Sequence, residues 1–209
     1  MKPKAYIVIS RYSESVEWVR SLTDNYIIYN KGEELPSEYN QKIVDNFGGN
    51  QYDIVRYIYD NYYNLPPLIA FLQGDPFDHC SPDRFNRLIF NESFTPIFGV
   101  KNYADGEYFE ANDSWYINQP WQSHKPQCKF ENFDEYAKHI FSNYTREETL
   151  IFPPGSQFIV EEERCLFYSR NFWKKIMDVI PTDLNINGGR EVHIIERSLQ
   201  LIFENKYKE

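Results

Sequence analysis

Up to residue 80 the chain alternates short apolar runs with amphipathic ones. AYIVIS (5–10) is brief and rich in β-branched residues, the pattern of a buried strand. ESVEWVRSL (14–22) places Val16, Val19 and Leu22, with Trp18, on a helical surface. NYIIYNKG (25–32) reads as a second strand ending in a turn, while QKIVDNF fits a strand or a helix equally well. YDIVRYIYDNYY (52–63) has helical spacing through Ile54, Tyr57 and Ile58, and Asn64-Leu65-Pro66-Pro67 stops it. LIAFLQ (68–73) is apolar on both faces, as a central parallel strand is.

Strand, helix, strand, helix, strand is the opening of an α/β nucleotide fold, whose ligands bind at the carboxyl ends of parallel strands. Neither GxGxxG nor GxxxxGK[ST] is present, which disfavours a dinucleotide or P-loop site. The stretch 81–150 reads as irregular, with SPDRFNRLIF, the aromatic YFEANDSWYINQPW and a helix-like FDEYAKHIF. Regular pattern returns in SQFIVEEERCL (156–166), a strand followed by a helix start, and in the helical NFWKKIMDVI (171–180). NINGGREVHIIERSLQLIF (185–203) turns at Gly188-Gly189 and continues as a helix with Val192, Ile195, Leu199 and Ile202 inward. At 209 residues the expectation is one domain, with a nucleotide-binding half over 1–80 and acceptor-side and closing elements over 81–209.

Composition narrows the partners. A formal charge of −9 argues against a nucleic-acid partner. No apolar run approaches the length of a membrane span, and MKPKAYIVISRY reaches Arg11 too soon to read as a signal peptide. Cys80, Cys128 and Cys165 are odd in number, far apart and without zinc spacing, which suits a reducing compartment such as the cytoplasm. A monomer is the default expectation. Aromatic residues make 18% of the chain, enough for a large-residue core or for a stacking surface.

The candidate chemistry centres on FLQGDPFDH (71–79), where a strand runs into two aspartates. Asp75 and Asp78 are either turn-formers or carboxylate ligands of Mg²⁺ or Mn²⁺ at the strand end. Gly74 allows close backbone approach there, and His79 is a further ligand or phosphate contact. Ser10, Arg11, Tyr12, Tyr29, Asn30 and Lys31 lie at the ends of the first two strands, where a nucleoside would be held. Arg56 and Asp60 are either ligand contacts or an ordinary i,i+4 ion pair. His193, near Glu196 and Arg197, is a candidate late metal ligand or a structural histidine, and Gly188-Gly189-Arg190 an anion-contacting turn or a flexible helix entry. Asp113, Glu161 and Glu191 are the candidates for a catalytic base. Trp115, Tyr116 and Trp121 form a platform for sugar faces or roof the core.

ISRYSESVEWV, IYNKG and IVRYIYDNYYNLPPLIAFLQGDPFDH, followed by PPGSQFIV and HIIERSLQLIF, resemble a family of glycosyltransferase-like proteins from fungi and large viruses. Among them is the N-terminal glycosyltransferase domain of a large chlorella-virus protein, of the GT-A type. The resemblance implies a mostly parallel mixed sheet flanked by helices. It also implies a UDP-sugar donor such as UDP-glucose or UDP-rhamnose, and Mn²⁺ or Mg²⁺ on the acidic motif. The activity implied is transfer to a glycan hydroxyl, with inversion, in glycan biosynthesis of the kind that glycosylates viral capsids in the host cytoplasm. Asp78 then matches the direct metal ligand, Asp75 a sugar or ribose contact, Ser10-Arg11-Tyr12 the uracil and ribose contacts, and His193 a late metal or diphosphate ligand. The chain departs from the family's N-x-G-R-E by reading Gly48-Gly49-Asn50-Gln51-Tyr52-Asp53, which leaves donor identity open. Other readings of the same residues are a metal-dependent nucleotidyltransferase or pyrophosphatase, or a non-catalytic carbohydrate-binding domain.

Overall fold

The computed structural model describes residues 2–99, 109–111, 130, 133–146, 150–180 and 191–209. The N-terminal strands are β1 (Tyr6–Arg11), β2 (Tyr26–Asn30), β3 (Gln41–Ile43) and β4 (Leu68–Gln73). Two strands follow in β5 (Thr95–Pro96) and β8 (Phe158–Glu161), while β6 (Phe109–Ala111) and β7 (Leu150–Phe152) pair apart from them. The main sheet has six strands in the order β3-β2-β1-β4-β8-β5. β1 to β4 run parallel; β8 runs antiparallel to both of its neighbours. The architecture is α/β, with a mixed sheet flanked by helices.

Strand alternation sends successive side chains to two separate cores. Ile7, Ile9, Ile28, Ala70, Leu72 and Ile159 face one side, with Val16, Val19 and Phe85 packed over them. Those partners come from α1 (Glu17–Leu22), its entry turn, and α3 (Pro82–Leu88). Val8, Tyr29, Ile69, Phe71, Phe158 and Val160 face the other side. There they meet α2 (Gly49–Asn61), α4 (Phe133–Ile140), α5 (Glu162–Leu166), α6 (Arg170–Met177) and α7 (Glu191–Phe203). Trp173, fully buried, anchors this larger core and donates its indole N–H to the Cys165 carbonyl at 3.0 Å.

The chain steps outward from β1 to β2 and β3, then returns across the sheet to β4 on the other side of β1. This reversal places α1 and α2 on opposite faces and opens a crevice beyond the carboxyl ends of β1 and β4.

Several boundaries move for physical reasons. The helix expected over 14–22 starts only at Glu17, because the Glu14 carboxylate takes the Tyr12 and Ser13 N–H groups at 2.7 and 3.0 Å in a turn of its own. α2 begins three residues before the expected 52, entered through Gly48 in the left-handed region (φ 73°). SPDRFNRLIF, expected to be irregular, contains α3, which Ser81 and Pro82 start. The ambiguous QKIVDNF supplies β3 at the sheet edge. No helix among the described residues is long and apolar enough to cross a membrane.

Candidate functional site at the strand ends

A cleft of about 530 Å³ sits on that crevice, within the range of small-molecule sites. Its walls come from the β1 end (Ser10, Arg11, Tyr12, Glu14), the β2 end (Lys31), the loop into α2 and its start (Asn46, Gly49, Asn50) and the β4 end (Gln73, Asp75, Asp78, His79).

The β1 and β2 ends are locked to each other. Arg11 donates through Nε to the Glu14 carbonyl at 2.9 Å, and through Nη1 to Asn30 Oδ1 at 2.7 Å and the Glu33 carbonyl at 3.0 Å. Asn30, fully buried, also accepts from the Gly32 N–H and donates to Glu33 and Gln41. Gly32 is a steric necessity, since a Cβ there would lie 1.7 Å from the Tyr12 carbonyl oxygen. Of the residues expected to hold a nucleoside, Arg11 lines the cleft while bonded to Asn30, which is buried behind it, and Tyr12 is 54% exposed at the rim.

Behind the wall lies a buried ion pair. Lys31 Nζ is 2.8 Å from Asp53 Oδ2, with side-chain exposures of 4% and 2%. The Ser10 hydroxyl donates to the same oxygen at 2.5 Å. Lys31 also donates to the Gly49 carbonyl and, at 3.4 Å, to Ser10 Oγ, so its three N–H groups are engaged within the protein. The pair ties the β1 and β2 ends to the first turn of α2. Burial pushes the Asp53 carboxyl above the usual carboxylate range, and Lys31 pulls it back in part.

On the β4 side, Asp75 caps the short 3-10 turn Pro76–Asp78, its Oδ1 accepting from the Phe77 N–H at 2.9 Å. The turn-former expectation thus holds for Asp75. Asp78 is exposed to the cleft and makes no hydrogen bond or ion pair with the described residues. Gly74 serves close packing within the protein: a Cβ would stand 2.8 Å from Glu14 Oε2, and the Trp18 indole donates to its carbonyl at 2.9 Å. Gln157, fully buried, fixes the loop by accepting from the Gln73 N–H at 3.1 Å and donating to the Pro76 carbonyl at 3.1 Å.

Among the described residues no group of three or more His, Cys, Asp or Glu side chains is arranged to hold a metal ion. Asp78 and the second oxygen of Asp75 can supply two hard ligands to Mg²⁺ or Mn²⁺, a number that suits cations completed by ligand phosphates and water. Arg11 and Lys31, the cleft's arginine and lysine, are engaged internally, which leaves the Asp78 carboxylate, the second oxygen of Asp75 and the His79 imidazole among its uncommitted groups.

Other expected site residues lie elsewhere. Glu161 pairs in register with Leu68, the first residue of β4, at the edge of the sheet opposite the cleft, and its Oε2 is 2.9 Å from Arg164 Nε. That placement sets it apart from this cleft. Arg56 and Asp60 form the ordinary helical ion pair (3.7 Å), joined by Lys42 at 3.2 Å, and do not line the cleft. Tyr29 is buried in the core. Glu191 is buried in the first turn of α7, also off the cleft wall. His193 is likewise absent from that wall: its Nδ1 is 3.7 Å from Glu196 Oε2, and Glu196 accepts the Gly155 N–H at 2.8 Å. Asn50 reaches the same loop, donating to the Gly155 carbonyl at 2.7 Å. Asp113, Trp115, Tyr116, Trp121 and Gly188-Gly189-Arg190 lie outside the described residues.

The residues that sequence reasoning missed are Glu14, Asp53 and Gln157. Asp53 had a signal, since it falls beside Ile54 and Tyr57 on the inward side of an amphipathic helix, where a carboxylate needs a buried cation.

A family model described as "Protein of unknown function (DUF3431)" matches residues 7–209. No curated protein and no solved structure matches the chain.

Proposed function

The chain belongs to the DUF3431 family, and from its strand-end cleft we propose that it is a metal-dependent glycosyltransferase of the GT-A type, moving a sugar from a UDP-sugar to a glycan hydroxyl. The observation that carries this reading is the uncommitted Asp78 carboxylate beside Asp75 at the reversal point of the sheet. A mixed sheet with a parallel N-terminal half agrees with the fold that the family resemblance implies.

A divalent cation held by Asp78 and Asp75 would supply Lewis-acid charge to the leaving diphosphate. The chain's own residues do the rest. Tyr12 offers an exposed ring at the rim for a nucleobase to stack on. The Arg11–Asn30 lock and the Lys31–Asp53 pair hold the walls, so ligand binding need not organise them. The excess of carboxylates disfavours a bare diphosphate and makes the cation a condition of nucleotide binding. Inversion requires a base to take the acceptor's proton; with Glu161 across the sheet and Glu191 off the wall, Asp113 is the remaining candidate.

The test is release of UDP from UDP-glucose and UDP-rhamnose with Mn²⁺. We expect turnover that a chelator stops, that Asp78→Asn lowers by about a hundredfold or more, and that Glu161→Gln leaves unchanged. Turnover that survives the chelator and Asp78→Asn would remove the proposed site from the chemistry. No turnover of any UDP-sugar, with or without a glycan acceptor, would reject the transferase reading.

A further inference from the structure

Two buried residues just ahead of β8, the strand beside β4, bear on the aspartate loop. The Gln157 amide spans that loop, with Oε1 accepting from the Gln73 N–H and Nε2 donating to the Pro76 carbonyl, both at 3.1 Å. One planar group thus holds the chain on either side of Gly74-Asp75. Gln157 is itself fixed: its carbonyl accepts the Ile97 N–H at 2.8 Å, and the next residue, Phe158, pairs with both Phe71 and Pro96. The residue before it, Ser156, is fully buried at φ 51°, the left-handed region that a non-glycine residue enters at an energetic cost. Its hydroxyl accepts from the Gln51 amide of α2 at 3.0 Å. Backbone in such a conformation persists only where its surroundings impose it, and it gathers at functional sites. Here it directly precedes the amide that reaches the loop.

The consequence falls on the two carboxylates. Asp75 Oδ1 is taken by the Phe77 N–H, which sets its orientation relative to the 3-10 turn that carries Asp78. Gln157 in turn sets that loop on the sheet. Together these bonds limit how far the Asp78 carboxylate and the second oxygen of Asp75 can move apart. Mg²⁺ demands short distances and a strict geometry from its oxygen ligands, whereas the larger Ca²⁺ accepts longer and irregular ones, so the rigidity of a site decides between them. We propose that Gln157 is a positioning residue that fixes the span of the loop and so makes the Asp75–Asp78 site select Mg²⁺ over Ca²⁺. The inference rests on the cation in the reading above and on nothing about the sugar.

The full chain is titrated with Mn²⁺, with and without UDP, and the bound Mn²⁺, followed by its paramagnetic resonance spectrum, is displaced by Mg²⁺ and by Ca²⁺. Wild type should prefer Mg²⁺. Gln157→Met, of similar length but without the amide, should lower the Mg²⁺-to-Ca²⁺ affinity ratio by about tenfold or more, the usual effect of removing the hydrogen bonds behind a metal's ligands. Gln157→Asn, whose shorter amide cannot reach both partners, should lower the ratio by less, and it carries the test if the Met variant does not fold. A merely structural role would weaken both ions alike and leave the ratio unchanged. A wild type without preference for Mg²⁺, or a ratio unchanged in the folded variant, overturns the proposal; the cation site itself survives that result if Asp78→Asn abolishes Mn²⁺ uptake. If Mn²⁺ binds and the ratio shifts as expected while UDP does not bind, the nucleotide-sugar reading falls and the role of Gln157 stands. No Mn²⁺ uptake by wild type, or equal uptake by Asp78→Asn, rejects both.

Discussion

Lys31→Met should lower the free energy of unfolding by about 3–5 kcal/mol, the usual cost of leaving one member of a buried ion pair alone. The magnitude follows from burial: both side chains are almost fully inaccessible, and Asp53 would keep only the Ser10 hydroxyl as a partner. The loss should also depend on pH. Burial already raises the Asp53 carboxyl in the folded protein, and removing the ammonium raises it further. A folded-state value above the unfolded one means that the folded state binds the extra proton between the two, so stability falls as pH rises through that window. The variant should therefore be least impaired at the acid end of that window and most impaired on its alkaline side. Lys31→Met/Asp53→Leu, free of any lone charge, should recover most of the loss. Urea unfolding at several pH values checks all three statements, and a pH-independent loss of less than 1 kcal/mol would mean that the pair is not buried as described.

Gly32→Ala is the second change with a large expected effect, about 3 kcal/mol or more, beyond ordinary overpacking because the clash is with backbone. The added Cβ would stand 1.7 Å from the Tyr12 carbonyl oxygen and 3.5 Å from Arg11 Nη1, so the β1 and β2 ends must part. The damage should not stop at stability. Tyr12 and Arg11 belong to the cleft, and the loss of ligand affinity should persist at temperatures where the variant is still folded. Thermal unfolding alongside nucleotide titration separates the two effects. A variant as stable as wild type would contradict the close approach of these strand ends.

The parts of the fold legible in the sequence were those with strong local period. β1, β2, β4 and α2 follow from apolar runs and helical spacing, and the carboxyl ends of those strands are the ligand edge the sequence leads one to expect, whereas the reversal between β1 and β4 is visible only in the strand order. β3, with only three residues at an edge, carries no period that could separate it from a helix. α3 was hidden because its start, Ser81-Pro82, resembles a loop signal as much as a helix signal. For the site, the sequence could locate Asp75 and Asp78 but not how their carboxylates are used. Asp75 caps a turn and Asp78 is uncommitted, a difference that depends on a three-residue 3-10 turn. That Glu161 lies away from the cleft could not be read from the sequence, because the direction of β8 is a matter of long-range pairing. The Lys31–Asp53 pair joins residues 22 positions apart across two elements, a contact that neither local pattern announces.

The most direct test of the central claim is calorimetric titration of the protein with UDP, with and without Mn²⁺, repeated with Asp78→Ala. Asp78 is exposed and has no partner among the described residues, so the substitution should change stability by no more than about 0.5 kcal/mol. The account predicts saturable UDP binding only when Mn²⁺ is present, and its loss in Asp78→Ala although the variant remains folded. UDP binding of equal strength without metal, or unchanged in Asp78→Ala, would contradict it.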